Sequence, residues 1–446
     1  MGLFDELNVQ ENSFIPYLNT GTLVDIAVGG FVPGVNNTMI LNGGIGMTNG
    51  VVGREQRFKS TTTSSLLMGV LGRYINSELL VNDTEFSIGT KERLLGMADM
   101  PIDTDRIRLT DPSNYDMAGL FTEIRRIVKY KIENKKDYLV ETPFINPKTL
   151  KPIMMYIPTL VMIDSWSKLY LQTVDDLYDK ASLGDSQLNM VYMKDGNAKT
   201  QFMQHLPTLA AKAGIYFILT AHVGDKFEMD AFSKSPKDLQ HMNQRDTIKN
   251  VGSQFNYLTS LLLENRTVTV LQDSKKECQY PIIGCSPMEL SSVKSVVNRC
   301  KNNISGTTMT HVVSQNNGII RGLSNYELLL DNDSFGMTGN NIKKHIGIYP
   351  EPTLMRTTVR QQLRDSYELC RALEILAQLC YIQNYWSNTG TEEVSFRVLP
   401  EKFTEMVLAK KDVIAEILNS RGYWTYDKKD PRKYMSLYDI LVLLNK

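Results

Sequence analysis

The chain has 446 residues, 42% apolar and 22% charged, enough for a large core or two to three domains. That balance excludes a disordered chain, and no run approaches the length of a membrane span. Forty-nine basic residues against forty-nine acidic ones leave no net charge, so a nucleic-acid partner has to be argued from motifs, not from composition.

The five cysteines (Cys278, Cys285, Cys300, Cys370 and Cys380) lack metal-ligand spacing and read as reduced thiols of a cytoplasmic protein. The histidines are scattered and form no zinc motif. Met1-Gly-Leu-Phe-Asp-Glu-Leu is short and acidic, unlike a secretory signal.

Residues 1–18 form a short mixed segment. Leu18-Asn-Thr20-Gly21-Thr-Leu-Val-Asp25-Ile-Ala-Val-Gly29-Gly30 then predicts a turn, an apolar helical piece and a glycine stop, and Pro33-Gly34 with Asn36-Asn37 predicts a surface turn or hairpin over 31–42. Gly46-Met-Thr-Asn-Gly-Val-Val-Gly53-Arg-Glu-Gln-Arg-Phe-Lys59-Ser60-Thr61 reads as a strand, a tight loop and the start of a helix, which is the grammar of a phosphate-binding loop. Gly53, Lys59 and Ser60 fit the strict pattern, and Phe58 stands where a second glycine is usual. In such loops the N–H groups, here of Gly53, Arg54, Glu55, Gln56, Arg57, Phe58 and on to Thr61, cradle phosphate oxygens. Lys59 would reach the terminal phosphates of ATP, and the Ser60 hydroxyl would hold Mg²⁺. Taken alone, the stretch also reads as an ordinary Gly-rich turn before a helix.

Ser77-Glu-Leu-Leu-Val-Asn-Asp83-Thr-Glu85 is an apolar strand ending in acids, and Glu85 at its tip suits a group that polarises an attacking water; a helix cap or solvated strand end is the alternative. Residues 91–136 read as helices, and 137–156 as a loop or small excursion. Thr159-Leu-Val-Met-Ile-Asp164 is a buried strand presenting an acid to Mg²⁺ or its water shell. From Tyr170 to Lys212 the pattern predicts helix, loop and helix, and Ala213 to His222 a strand with a polar tip.

The excursion Val223–Asn250 carries Lys226, Phe227, Phe232, Lys234, Lys237, Arg245 and Lys249, a basic and aromatic set suited to single-stranded DNA. Asp225, Glu228, Asp230, Asp238 and Asp246 offset that charge, so a solvated loop reads as well. Further strand-like stretches start at Ser260, Val268 and His311, and 323–345 reads as helix and loop. Val359–Trp386 predicts one long amphipathic helix, and 400–446 further helices with a capping box at Ser436-Leu-Tyr-Asp439.

Taken in order, these motifs resemble the RecA-type recombinase family, most of all its UvsX-type phage branch, over residues 18–350. The resemblance rests on Thr20-Gly21 to Gly30, Phe58-Lys59-Ser60, Asp83-Thr-Glu85, Val161-Met-Ile-Asp164-Ser165 and Thr220-Ala-His222. It implies a RecA-like P-loop ATPase core with a mainly parallel central sheet over 19–350, and a helical C-terminal accessory domain over 351–446. It implies Glu85 and Lys59 as catalytic residues, Ser60 and Asp164 at the metal, and His222 as the sensor of the terminal phosphate. Loops near 178–198 and 223–250 would contact DNA, and Arg299 and Lys301 would reach a neighbour's ATP. The implied protein is a DNA-dependent ATPase and strand-exchange recombinase of recombination and repair in the bacterial host cytoplasm. It would need ATP and Mg²⁺, and its partners would be single-stranded DNA, further copies of itself in a filament or ring, and single-strand-binding and loader proteins. A DNA-binding or assembly protein without useful turnover, or a hexameric helicase on the same core, are the alternatives.

Overall fold

In the computed structural model, residues 14–111, 116–171, 186–226, 237–387 and 394–445 are described. Six segments form the parallel strands of one ten-stranded sheet: β1 (Thr48–Gly53), β2 (Glu78–Asp83), β3 (Ile107–Thr110), β4 (Thr159–Asp164), β5 (Ile215–Asp225) and β7 (Leu261–Val270). Every residue of β1 and β4 is buried. Burial along the whole strand, as in β4 with its Leu-Val-Met-Ile run, marks strands covered on both faces.

The short β6 (Asp246–Ile248) pairs antiparallel with β5. β8 (Leu290–Cys300), β9 (Thr308–Ser314) and β10 (Gly318–Ile319) extend the sheet antiparallel beyond β7. The spatial order is β10-β9-β8-β7-β1-β5-β4-β2-β3, a mixed α/β fold with a mainly parallel centre.

Helices cover both faces. On one, α2 (Met117–Glu133) and α3 (Ser186–Ala213) bring Leu120, Ile124, Phe202 and Leu206 against Val161, Ile163 and Phe217. On the other, α1 (Lys59–Arg73) packs Leu66, Leu67 and Leu71 over Leu160, Met162 and Ile218. That second layer is continuous with α4 (Arg321–Asp331), α5 (Val359–Asp365), α6 (Tyr367–Tyr385), α7 (Pro400–Ala409), α8 (Lys411–Asn419) and α9 (Leu437–Asn445), since Leu373, Leu376, Phe403 and Leu441 belong to the same apolar cluster. Trp424 packs edge-on against Tyr74 at 4.8 Å and donates its indole N–H to the Tyr17 carbonyl. Close approach fixes Gly69 of α1, where a Cβ would lie 2.1 Å from the Thr20 carbonyl oxygen.

Several segments differ from the sequence expectation. Ile107–Thr110, inside the run read as helical, is the edge strand β3. Only Ile107 is buried there, so four residues carried too little pattern. Residues 137–156, expected as a loop or small excursion, form a hairpin of Leu139–Ile145 with Pro152–Tyr156. Helix α3 begins at Ser186, so the loop expected up to 198 is helical from that point, and 172–185 lie outside the described residues. The stretches at Ser260 and Val268 are one strand, β7, and β8 went unpredicted. The helix expected over Val359–Trp386 breaks at Ser366, whose hydroxyl accepts the Leu369 N–H and so starts α6. Between α4 and α5 the loop-like stretch contains a small sheet of Met337–Gly339, Lys344–Ile346 and Tyr349–Leu354.

His311 of β9 is fully buried, and among the described residues neither ring nitrogen finds a hydrogen-bond partner. Burial, reinforced by Arg321, pushes its pKa down to about 4. An unfolded chain takes up this proton below about pH 6.5 and the folded one does not, so the group's contribution is present above 6.5 and is lost as pH falls toward 4. The loss is on the order of 2–3 kcal/mol. His311→Phe is therefore expected to flatten the fall of Tm between pH 6.5 and 4 relative to wild type; parallel pH profiles of Tm would contradict the assignment.

Candidate nucleotide site

Parallel pairing places the ends of four strands in one row. Gly53 of β1 lies opposite His222 of β5, and Asp164 of β4 opposite Asp83 of β2. Ile163 pairs with Leu219, which brings Thr220 alongside Asp164. The carboxyl ends of strands in open parallel sheets are where ligands bind.

The loop from Gly53 to Lys59 is shaped by its neighbours. A Cβ on Gly53 would approach the Asn265 carbonyl oxygen of β7 to 2.8 Å. Asn265 also holds the loop, donating its side-chain N–H groups to the Arg57 carbonyl at 2.8 Å and to Thr62 Oγ1 at 3.0 Å, while its Oδ1 accepts from Ser295. Phe58 sits at φ +55°, ψ +28°, the left-handed conformation in which glycine is usual, and its ring packs against the core. A non-glycine residue there costs about 1–2 kcal/mol, most for a β-branched side chain. Phe58→Val is accordingly expected to melt below Phe58→Gly although valine keeps more apolar surface. The reverse order in thermal melts would mean that packing and not backbone conformation sets this position.

Lys59 opens α1 with 8% exposure, and its ammonium donates to the Arg54 carbonyl at 3.0 Å. Burial lowers its pKa, while Glu85, Asp164 and Glu55 act in the opposite sense. Ser60, the next residue of α1, lies near enough to the Asp164 carboxylate to act against its pKa rise. That carboxylate, 1% exposed, accepts from Thr220 Oγ1 at 2.5 Å and Ser87 Oγ at 2.9 Å. Burial raises the Asp164 pKa, opposed by these hydrogen bonds.

The two acids at the β2 tip do different work. Asp83 accepts the N–H groups of Ser87 and Ile88 at 3.0 and 2.7 Å and so shapes the turn. Glu85 Oε1 lies 2.7 Å from His222 Nε2 and 3.9 Å from Lys168 Nζ. The His222 bond, more than any other influence, takes its pKa down to about 2. His222 is fixed in turn through its N–H, which donates to Ser167 Oγ at 3.1 Å, and its carbonyl, which accepts from the Lys249 N–H at 2.8 Å.

Among the described residues no three His, Cys, Asp or Glu side chains gather as a resident metal site. A hydroxyl beside one carboxylate, as in Ser60 and Asp164, fits a mostly hydrated Mg²⁺ that arrives with a polyphosphate. Lys59, Ser60, Asp164, Glu85 and His222 are thus brought together. Asn265, Thr220 and Ser87 join them unpredicted, because their roles depend on strand order.

Other predicted residues lie elsewhere. Within this chain Arg299 donates to the Thr259 carbonyl at 3.3 Å and Lys301 to the Leu258 carbonyl at 3.0 Å. Both sit where β7 begins, since Leu261 pairs with Cys300 and with Asn49, away from the Gly53 end. In the excursion after β5, Lys226 is paired with Asp238 at 2.8 Å, Lys249 donates to the Asp225 carbonyl and Lys237 to that of Gln240. Arg245 is exposed, and Phe227, Phe232 and Lys234 lie outside the described residues. Arg54 turns away from the phosphate cradle toward Asp225 and Asp246, while Glu55 and Gln56 are exposed.

No family model and no curated protein matches the chain. Among solved structures, the crystal structure of the RadB recombinase is similar at 19% identity and a TM-score of 0.34, over 68% of this chain and 98% of that one.

Proposed function

We propose that the chain is an ATP-dependent, single-stranded-DNA-binding recombinase of RecA type, in its phage branch. The observation that carries the reading is the row of Lys59, Ser60, Asp164, Glu85 and His222 at adjacent strand ends, with Glu85 and His222 in contact at 2.7 Å. Bound Mg²⁺ would offset the charge of the triphosphate. Loop N–H groups from Gly53 to Thr61 bind the phosphates, Lys59 neutralises the terminal ones, and Ser60 with Asp164 faces the metal's water shell. Glu85 orients the attacking water. With a pKa of about 2 it is a weak base while His222 holds it, so separation of that pair accompanies turnover.

His222 is hydrogen-bonded through its carbonyl to Lys249, which ties the terminal-phosphate end of the site to the excursion with the candidate DNA side chains Lys226, Phe232, Lys234, Lys237, Arg245 and Lys249. Further copies of the chain would assemble on DNA, with Arg299 and Lys301 facing a neighbour. The pairing of Glu85 with His222 also favours a second reading, a nucleotide-dependent DNA-binding protein with little turnover.

The affinity of the protein for fluorescent oligo(dT) with and without Mg²⁺–ATP tests the proposal. Binding that tightens at least about tenfold with nucleotide, a coupling of about 1.4 kcal/mol, is expected; nucleotide-independent binding, or none, would remove the recombinase reading.

A further inference from the structure

Arg54 joins two parts of the molecule by different groups. Its carbonyl accepts the Lys59 ammonium at 3.0 Å, the same ammonium that a terminal phosphate would claim. Its guanidinium reaches Asp225 at 2.5 Å and Asp246 at 2.7 Å. Asp225 ends β5, the strand that carries His222, and Asp246 begins β6, to which it is registered.

These two acids close the stem of the excursion. Asp225 and Asp246 are partners in the β5–β6 ladder, the Lys226 N–H donates to the Arg245 carbonyl at 2.7 Å, and Lys249 Nζ donates to the Asp225 carbonyl. Asp246 is buried and takes a further hydrogen bond from Asn243 at 2.9 Å, so the stem end is fixed. Arg54 and Asp225 are half-exposed and exposed, the regime in which ion pairs are weak and readily exchanged.

We infer that Arg54 is a positioning residue that couples occupancy of the phosphate loop to the stem formed by Asp225–Lys226 and residues 237–250, on a route separate from the Glu85–His222 contact. The inference rests on the nucleotide reading of the site. A phosphate that draws Lys59 off the Arg54 carbonyl removes the bond holding that end of the loop. The Arg54 backbone then readjusts while its guanidinium stays on the buried Asp246 and exchanges at the exposed Asp225, so the Asp225 side of the stem has two arrangements and the phosphate favours one. Coupling of this kind is reciprocal, so a ligand that holds the stem in the nucleotide-favoured arrangement raises nucleotide affinity.

Hydrogen exchange of peptides covering 237–250, with and without Mg²⁺–ATPγS, tests the coupling on the carboxylate side, in wild type and in Asp225→Asn with Asp246→Asn. Wild type should bind nucleotide and change its exchange in these peptides severalfold. The double variant should bind nucleotide equally and lose that change. Should the double variant melt early, Asp225→Asn alone, at an exposed position, carries the test and should lose part of the change.

A double variant that responds like wild type, or a wild type that binds nucleotide with no response in the stem, would overturn the inference and leave the nucleotide site standing. A wild type that binds no nucleotide would remove the site and the inference together.

Discussion

Lys59→Ala is expected to weaken nucleotide binding by about 10- to 100-fold or more, the loss of one or two charge-assisted hydrogen bonds to phosphate. The reason to expect function and not stability at this position lies in its surroundings. The ammonium is nearly buried, has one neutral carbonyl as its hydrogen-bond partner among the described residues, and is disfavoured there by desolvation. A charge kept in such a place does little for the fold.

Lys59→Met, which keeps the aliphatic stem and removes the charge, should therefore melt no lower than wild type while losing nucleotide as the alanine variant does. Calorimetric titration with Mg²⁺–ATP and thermal melts separate the two effects. A methionine variant that melts several degrees lower and keeps nucleotide affinity would make Lys59 a structural residue.

Glu85→Gln is expected to reduce ATP turnover by roughly 10²- to 10⁴-fold, the usual contribution of a positioned acid–base group, with nucleotide affinity within a few-fold of wild type. Glutamine keeps the shape and a hydrogen-bond acceptor for His222 and removes the charge. The sign of the pH dependence follows from the lowered pKa. Because it lies at about 2 in the folded protein against 4.5 ordinarily, the stabilising contribution of Glu85 is present above 4.5 and is lost as pH falls from there through 2. No acid limb from Glu85 is expected in the rate profile above pH 4.5 while His222 holds it. A limb near pH 4.5 in the wild type that disappears in Glu85→Gln would show that His222 does not hold Glu85 during turnover. Equal turnover by the two proteins would support the reading with little hydrolysis.

What could be read from the sequence and what could not divides along locality. Gly53, Lys59 and Ser60 are neighbours in the chain, and a strand-loop-helix pattern suffices to place them. Asp164 and Glu85 were legible as acids at the tips of apolar strands, with parallel pairing implied by the helical crossovers.

The contact between Glu85 and His222 spans 137 residues and depends on β4 lying between β2 and β5, which no local pattern reveals. Asn265 was missed for the same reason: it matters only because β7 is the parallel neighbour of β1 and ends its register at Gly53. Phe58 shows the opposite case, where the residue looked wrong for the motif and the backbone adopted the glycine conformation regardless. Arg54 reads in the sequence only as one residue of the phosphate loop, and the acids of the excursion only as offsets to its basic residues. The structure pairs Arg54 with Asp225 and Asp246, and Lys226 with Asp238. The short edge strand Ile107–Thr110 was not readable because a single buried residue carries no period.

The most direct test of the central claim is steady-state ATP hydrolysis by the wild-type protein with and without single-stranded DNA. We expect Mg²⁺-dependent hydrolysis that single-stranded DNA stimulates and that Lys59→Ala abolishes. Nucleotide binding with no hydrolysis under either condition would contradict it and leave a nucleotide-binding assembly protein on the same fold.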